Sequence, residues 1–150
     1  LLKEPINISE LLESIIEKYK TINTEKNFKF SSFVENSTFL ADEFQFENAI
    51  GNILDNAIKY GGDTISIELN STKKAFEILI KDNGNGIPKN QKEKVFEQFY
   101  RIPTGNTHNV KGFGIGLYYT KSIIEKHGGT INIIYDKNNS TTFKISLPNE

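Results

Sequence analysis

The residue pattern predicts an α/β sandwich, one mixed sheet with helices covering one face. Two observations point there. The stretches Ile65–Leu69 (ISIEL) and Phe76–Asp82 (FEILIKD) alternate apolar and polar residues across a short polar turn, as an antiparallel hairpin does, and Thr130–Tyr135 with Thr141–Leu147 forms a second such pair. Between and before these strands lie stretches with helical periodicity, interleaved without the strict strand–helix alternation of a doubly wound parallel sheet.

Taken in order, Ile6–Ile8 reads as a short strand, with Ser9 capping a helix marked by Leu11, Leu12, Ile15, Ile16 and Tyr19. Phe28–Val34 and Thr38–Ala41 read as strands. The next helix, Phe46–Tyr60 (FENAIGNILDNAIKY), carries Phe46, Ala49, Ile50, Ile53, Leu54, Ala57 and Ile58 on one apolar face. Asp42 precedes it with Gln45 three residues on, a capping pair, and Gly61-Gly62 ends it. The turn between the hairpin strands is Ser71–Lys74, and after Asp82 comes the glycine-rich DNGNGIP. Lys89–Phe99 reads as a short helix, residues 101–112 as a polar loop, and Gly114–His127 as a helix stopped by Gly128-Gly129.

With 150 residues the chain is long enough for one domain with a substantial core. Eighteen Lys and Arg against 19 Asp and Glu leave a net charge of −1, which suggests neither a nucleic-acid partner nor a membrane surface. With no cysteine there is no disulfide, thiolate metal site or cysteine nucleophile. No apolar run approaches the length of a membrane span. The chain contains no Met and starts at Leu1, so it is expected to be a fragment of a longer protein.

Three features point to chemistry. On the helix Phe46–Tyr60, the residues Asn48, Asn52, Asp55, Asn56 and Lys59 form a polar stripe. Asparagine is a mediocre helix former. The stripe is either an asparagine-rich outer face or a set in which a carboxamide oxygen ligates a hard cation such as Mg²⁺ and Lys59 meets phosphate. Gly112-Phe113-Gly114-Ile115-Gly116-Leu117 opens a helix, and is either a hinge or a place where a polyphosphate meets free first-turn N–H groups. It is neither a Walker A loop, having no Lys-Ser/Thr after the glycines, nor a Rossmann fingerprint. Asp82-Asn83-Gly84-Asn85-Gly86 fails as a calcium loop, because glycines occupy ligand positions. It is either a plain strand-ending turn or the wall of a base pocket, where a carboxylate accepts from the exocyclic amine of adenine.

The combination is more specific than its parts. N-x-x-x-N-A-x-K-Y, then D-x-G-x-G, then F-x-x-F, then G-x-G-x-G-L, in this order, resembles the ATP-binding catalytic domain of bacterial sensor histidine kinases. These belong to the superfamily shared with gyrase, the heat-shock chaperone and mismatch-repair ATPases. The resemblance covers essentially the whole chain, including the terminal STTFKISLP. It implies a two-layer α/β sandwich with a mostly antiparallel mixed sheet, about three helices and a flexible ATP lid over about residues 98–113. By the same resemblance Asn56 would ligate Mg²⁺, while Asn52 and Lys59 would meet the phosphate side. Tyr60 would pack on the nucleotide, Asp82 would bind adenine, and Gly84, Gly86 and Ile87 would shape the base pocket. Phe96 and Phe99 match the phenylalanine motif, and are expected to anchor the lid without touching ATP. Arg101 would reach phosphate from the lid; Gly112, Gly114 and Gly116, with Leu117 after them, would hold its far end. Phe113 and Ile115 depart from the smaller or leucine residues common there.

The implied function is transfer of the γ-phosphoryl group of Mg-ATP to a histidine on a separate helical-hairpin domain, and from there indirectly to a response regulator. The parent would be a homodimer, with this domain in the cytoplasm and the parent either free or anchored in the inner membrane. His108 and His127 are followed by Asn109 and Gly128, not by the acid that neighbours the family's acceptor, so both read as structural. The alternative is a self-sufficient ATPase of the same superfamily. Those enzymes place a Glu four residues before the Mg²⁺-binding Asn, as general base for water. Here that residue is Asn52, whose carboxamide cannot take a proton.

Overall fold

The computed structural model describes residues 1–84, 86–98, 100, 113–138 and 140–148, with the side chains of Tyr60, Phe113 and Ile115 outside the description. In chain order the elements are β1 (Glu4–Asn7), α1 (Ile8–Ile22), β2 (Asn27–Ser32), β3 (Thr38–Ala41), α2 (Glu43–Tyr60), β4 (Thr64–Ser71), β5 (Ala75–Asp82), two 3₁₀ turns (Lys89–Gln91 and Lys94–Phe96), α3 (Phe113–Lys126), β6 (Thr130–Tyr135) and β7 (Thr141–Pro148). A five-stranded sheet has the order β2-β4-β5-β7-β6, with β2 parallel to β4 and every other pair antiparallel. β1 and β3 pair separately as a small antiparallel ribbon. The architecture is the expected α/β sandwich.

Period-two alternation divides the sheet. Ile65, Ile67 and Leu69 of β4, Phe76, Ile78 and Ile80 of β5, and Phe143, Ile145 and Leu147 of β7 are all buried. They meet Leu12, Ile15 and Ile16 of α1, Phe46, Ile50, Ile53 and Leu54 of α2, and Leu117 and Ile124 of α3 in one core. The other face carries charge, with Lys144 paired to Glu77 across β7 and β5 at 3.5 Å. An antiparallel sheet can leave such a face to water.

Several boundaries differ from the sequence reading: the first strand is Glu4–Asn7, not Ile6–Ile8, the second ends at Ser32, not Val34, and α2 starts at Glu43, not Phe46. Asn7, not Ser9, caps α1. Its side chain accepts from Glu10 N at 3.0 Å, and Ser37, brought close by β1–β3 pairing, accepts from Ser9 N through Oγ at 3.0 Å and from Ile8 N through its carbonyl at 3.0 Å. The segment expected as a helix over Lys89–Phe99 is instead two 3₁₀ turns. Its only adjacent apolar residues, Val95 and Phe96, are both buried side by side, and the first four residues, Lys-Asn-Gln-Lys, offer no apolar partner one helical turn earlier. Phe96 packs edge-on against Phe143 with ring centroids 6.4 Å apart, which ties this segment to the core. Phe99, His108 and nearly all of the 98–113 lid lie outside the described residues.

The start of α2 shows how a local signal is completed from afar. Asp42 does accept from Gln45 N at 3.2 Å. The reciprocal half of the capping box is absent, because the Gln45 side chain accepts from Tyr119 of α3 at 2.7 Å. Asp42 N donates instead to Nε2 of the buried His127 at 3.0 Å. The other ring nitrogen, Nδ1, lies 2.8 Å from the Ile123 carbonyl and must donate to it. His127 is therefore held by the fold at both ring nitrogens, Nε2 accepting from Asp42 N and Nδ1 donating to the Ile123 carbonyl.

His127→Phe keeps the ring volume beside Phe39 and Phe46 but leaves Asp42 N without an acceptor. It should lose about 1–3 kcal/mol of stability by urea denaturation, and His127→Ala more, through the added cavity. A His127→Phe protein as stable as the parent would show that the Nε2 bond contributes nothing.

Candidate functional site

The site forms where two apolar rows end in polar residues. Along β5 the inward positions run Phe76, Ile78, Ile80, Asp82, so alternation turns the Asp82 side chain toward the helices, and only 7% of the residue is exposed. Along β7 they run Thr141, Phe143, Ile145, Leu147, so the buried Thr141 hydroxyl starts the neighbouring row. Lys81 pairs with Thr142, which sets Thr141 at the same end of the sheet as Asp82. A pocket there is lined by Asn56 and Ala57 of α2 with Asp82, Gly86, Ile87, Thr141 and Phe143.

Two glycines shape this corner. A Cβ on Gly84 would run into the backbone of Gly61 and Gly62, so only glycine lets the turn after β5 close against the end of α2. Gly86 has φ +69°, and a Cβ there would strike Thr141 Oγ1. That hydroxyl accepts from Ile87 N at 2.7 Å, while Tyr135 donates to the Ile87 carbonyl at 2.8 Å. Ile87 is thereby held from both sides.

Asp82 Oδ1 accepts from Gly84 N at 2.9 Å. Burial pushes its carboxyl above the usual range, opposed by that N–H and by the nearby Lys26 ammonium. Asn56 is 6% exposed, and its Oδ1 is buried with no hydrogen-bond partner. An unmet buried carbonyl costs on the order of 1–3 kcal/mol, and in a native structure asks for an ion or water. A hard cation fits this oxygen. Among the described residues no group of three or more His, Cys, Asp or Glu could hold a metal. A single carboxamide oxygen could hold a hard cation only if phosphate and water supplied the rest of its shell.

The polar stripe of α2 divides. Asn52 donates through Nδ2 to the Gly116 carbonyl at 3.3 Å, tying α2 to the glycine-rich start of α3. Asp55 faces α1, where Tyr19 OH lies 3.0 Å from Asp55 Oδ1 and 3.1 Å from the Gly51 carbonyl. Asn48 lines the same α1–α2 groove. Lys59 is exposed on the last turn of α2. Gly114 and Gly116 lie within the first turn of α3, which begins at Phe113, and Leu117 is packed in the core. Arg101, Gly112 and the Tyr60 side chain lie outside the description. Of the residues singled out from sequence, the fold thus gathers Asn56, Asp82, Gly86 and Ile87 in one pocket, with Gly84 at its corner. Thr141 and Lys26 were missed. Thr141 had a readable signal, a hydroxyl at the head of an apolar row; Lys26 had none.

A raised folded-state pKa at Asp82 means that its contribution to stability is most favourable below the ordinary aspartate value and is lost as pH rises through the folded value. Asp82→Asn keeps an acceptor for Gly84 N without the buried charge. It should melt higher than the parent at neutral pH, with the advantage disappearing as pH falls below about 3.9. Thermal melts over that range check this, and a lower melting temperature at neutral pH would contradict it.

The family model of histidine kinase-, DNA gyrase B- and HSP90-like ATPases matches residues 41–150. The chain is 40% identical over 149 residues to the sensor protein RprX of Bacteroides fragilis, covering 95% of this chain and 29% of RprX. It is 34% identical over 144 residues to the signal transduction histidine-protein kinase ArlS of Staphylococcus haemolyticus, covering 95% of this chain and 32% of ArlS. The chain thus spans less than a third of the length of these relatives. Among solved structures, the mycobacterial sensor histidine kinase MprB superposes with a TM-score of 0.82 at 26% identity, covering 97% of each chain. The nucleotide-free catalytic domain of histidine kinase ThkA superposes with a TM-score of 0.84 at 25% identity, covering 99% of this chain and 96% of that one. Matched over most of its length and sharing the fold of kinase catalytic domains, the chain belongs to the histidine kinase-, DNA gyrase B- and HSP90-like ATPase family.

Proposed function

We propose that residues 1–150 form the ATP-binding catalytic domain of a sensor histidine kinase, which holds Mg-ATP and presents its γ-phosphoryl group to a histidine on a separate helical-hairpin phosphoacceptor domain. The observation that carries this reading is the bare, buried Asn56 Oδ1 in the same pocket as the Asp82 carboxylate. One is an acceptor suited to a cation, the other an acceptor suited to an amine, and both residues line one cavity.

In this reading Asp82 accepts from the adenine amine. Gly84, Gly86 and Ile87 keep the pocket flat and shaped for the base, and Tyr60 packs on the nucleotide. Asn56 holds Mg²⁺, which when bound neutralises phosphate charge. Asn52 and Lys59 lie toward the phosphates. The lid, over about 98–113, brings Arg101 and the glycines Gly112, Gly114 and Gly116 to the triphosphate, with Leu117 securing the lid's end to the core. Phosphoryl transfer needs chiefly positioning and charge neutralisation, so the chain requires no nucleophile of its own. Both ring nitrogens of His127 are engaged in the fold, so it is not the acceptor.

The kinase reading is favoured over a self-sufficient ATPase by Asn52. It stands where the hydrolytic Glu would be, cannot take a proton, and already donates to the Gly116 carbonyl. Among the described residues no helix is long and apolar enough to cross a membrane. We place the domain in the cytoplasm, as part of a homodimeric parent whose phosphohistidine in turn serves a response regulator.

ATP should bind in preference to GTP, because guanine sets a carbonyl against Asp82. The mismatch is worth on the order of 1–3 kcal/mol, roughly ten- to a hundredfold. Equal affinities by calorimetry would remove Asp82 from base recognition. Asn56→Ala should weaken Mg²⁺-dependent ATP binding while leaving the circular dichroism unchanged; undiminished Mg²⁺ dependence would make Asn56 structural. The 150-residue chain with γ-labelled ATP and Mg²⁺ should neither label itself nor release phosphate rapidly. Supplying the parent's hairpin should restore labelling on histidine. Robust phosphate release by the chain alone would favour the ATPase.

A further inference from the structure

The turn between α1 and β2 reaches the site without touching the pocket. Lys26 N closes that turn onto the Asn23 carbonyl at 3.1 Å, and its side chain crosses to donate from Nζ to the Gly62 carbonyl at 2.8 Å. Gly62 belongs to the corner against which the site is packed. A Cβ on Gly61 would lie 2.7 Å from Asp82 Cγ, and one on Gly84 would strike Gly61 and Gly62. Displacing Gly61-Gly62 therefore displaces the carboxylate and the N–H that orients it.

We propose that Lys26 is a positioning residue for base recognition: its ammonium clamps the Gly61-Gly62 corner and so fixes the Asp82 carboxylate in the pocket. The inference rests on the reading of Asp82 as the acceptor for adenine. The surroundings leave Lys26 a distinct electrostatic role as well. β4 presents Ile65 opposite Asp82, β7 Thr141 and Phe143, and α2 Asn56 and Ala57, none of them charged. The other acid of the corner, Asp63, is bound to Asn83 Nδ2 at 2.9 Å. Among the described residues, the Gly84 N–H and the Lys26 charge stand against the burial that raises the Asp82 pKa. A protonated Asp82 would direct an O–H at the adenine amine, so base binding should be lost as pH falls through the value of the free protein. Without the ammonium that loss moves to higher pH.

The test is calorimetric titration of the 150-residue chain with ATP and GTP from about pH 8 down to the ordinary aspartate value of about 3.9. Lys26→Met should weaken ATP binding roughly two- to tenfold at the alkaline end, the worth of one hydrogen bond, and move the acid loss of affinity upward. Lys26→Arg should restore both. Lys26→Gln keeps a donor without the charge and should shift the pH profile while holding the alkaline affinity nearer the parent's. In an Asp82→Asn background, Lys26→Gln should shift nothing. Unchanged affinity and pH profile in Lys26→Met and Lys26→Gln would overturn the proposal, as would equal shifts in the parent and Asp82→Asn backgrounds. If Asp82→Asn itself leaves the preference for ATP over GTP intact, the base-recognition reading falls and this inference with it. Failure of the Lys26 variants alone would leave that reading standing.

Discussion

A carboxylate is held inside an apolar layer at the end of β5, and the rest of the site is arranged to make that tolerable. Asp82 follows Phe76, Ile78 and Ile80 on one strand face, so it cannot turn to solvent without breaking the alternation that buries the sheet. Its charge is met by the Gly84 N–H and by Lys26 at a distance. Both depend on the contact between Gly84 and Gly61-Gly62, where backbone lies against backbone because no side chain intervenes. The stability lost in burying Asp82 and leaving Asn56 Oδ1 unmet is the kind of local inconsistency that marks a binding site.

α2 links this corner to the rest of the molecule. Its apolar face lies on the sheet, its last turns carry Asn56 into the pocket, and Asn52 holds the start of α3 through the Gly116 carbonyl. Farther along, Thr120 donates to the Ala49 carbonyl at 3.1 Å and Tyr119 to Gln45 at 2.7 Å, so α2 and α3 are joined by buried or half-buried hydrogen bonds along their length. His127 then ties the end of α3 to the beginning of α2. A ligand at Asn56 and a movement at the glycine-rich start of α3 thus act on one pair of helices.

The relatives give this arrangement its family but not its biology. They are sensor kinases of which this chain spans less than a third. The division suits phosphoryl transfer, in which positioning a nucleotide and supplying a nucleophile are separable tasks. In the proposed reading the chain supplies the donor site, with acceptors for a base and a cation at one end of a sheet.

By itself the amino-acid order determined the strands of both hairpins, the apolar face of α2, the Asp42 cap and, through the spacing of its asparagine and glycine motifs, the family. These are short-range properties, because side-chain periodicity and glycine spacing are written in neighbouring residues. Tertiary structure decided what depends on distant partners. The parallel pairing of β2 with β4, the separate β1–β3 ribbon and the capping of α1 by Asn7 and Ser37 each join segments whose sequences do not announce one another. The same holds for His127, whose acceptor nitrogen replaces half of a capping box 85 residues away, and for Lys26, an ordinary turn lysine in sequence. Val95 and Phe96 formed 3₁₀ turns instead of a helix because the core takes both side by side. The physical reason is common to all: local pattern settles which face of an element is apolar, but only the packed molecule settles which polar group is left facing which.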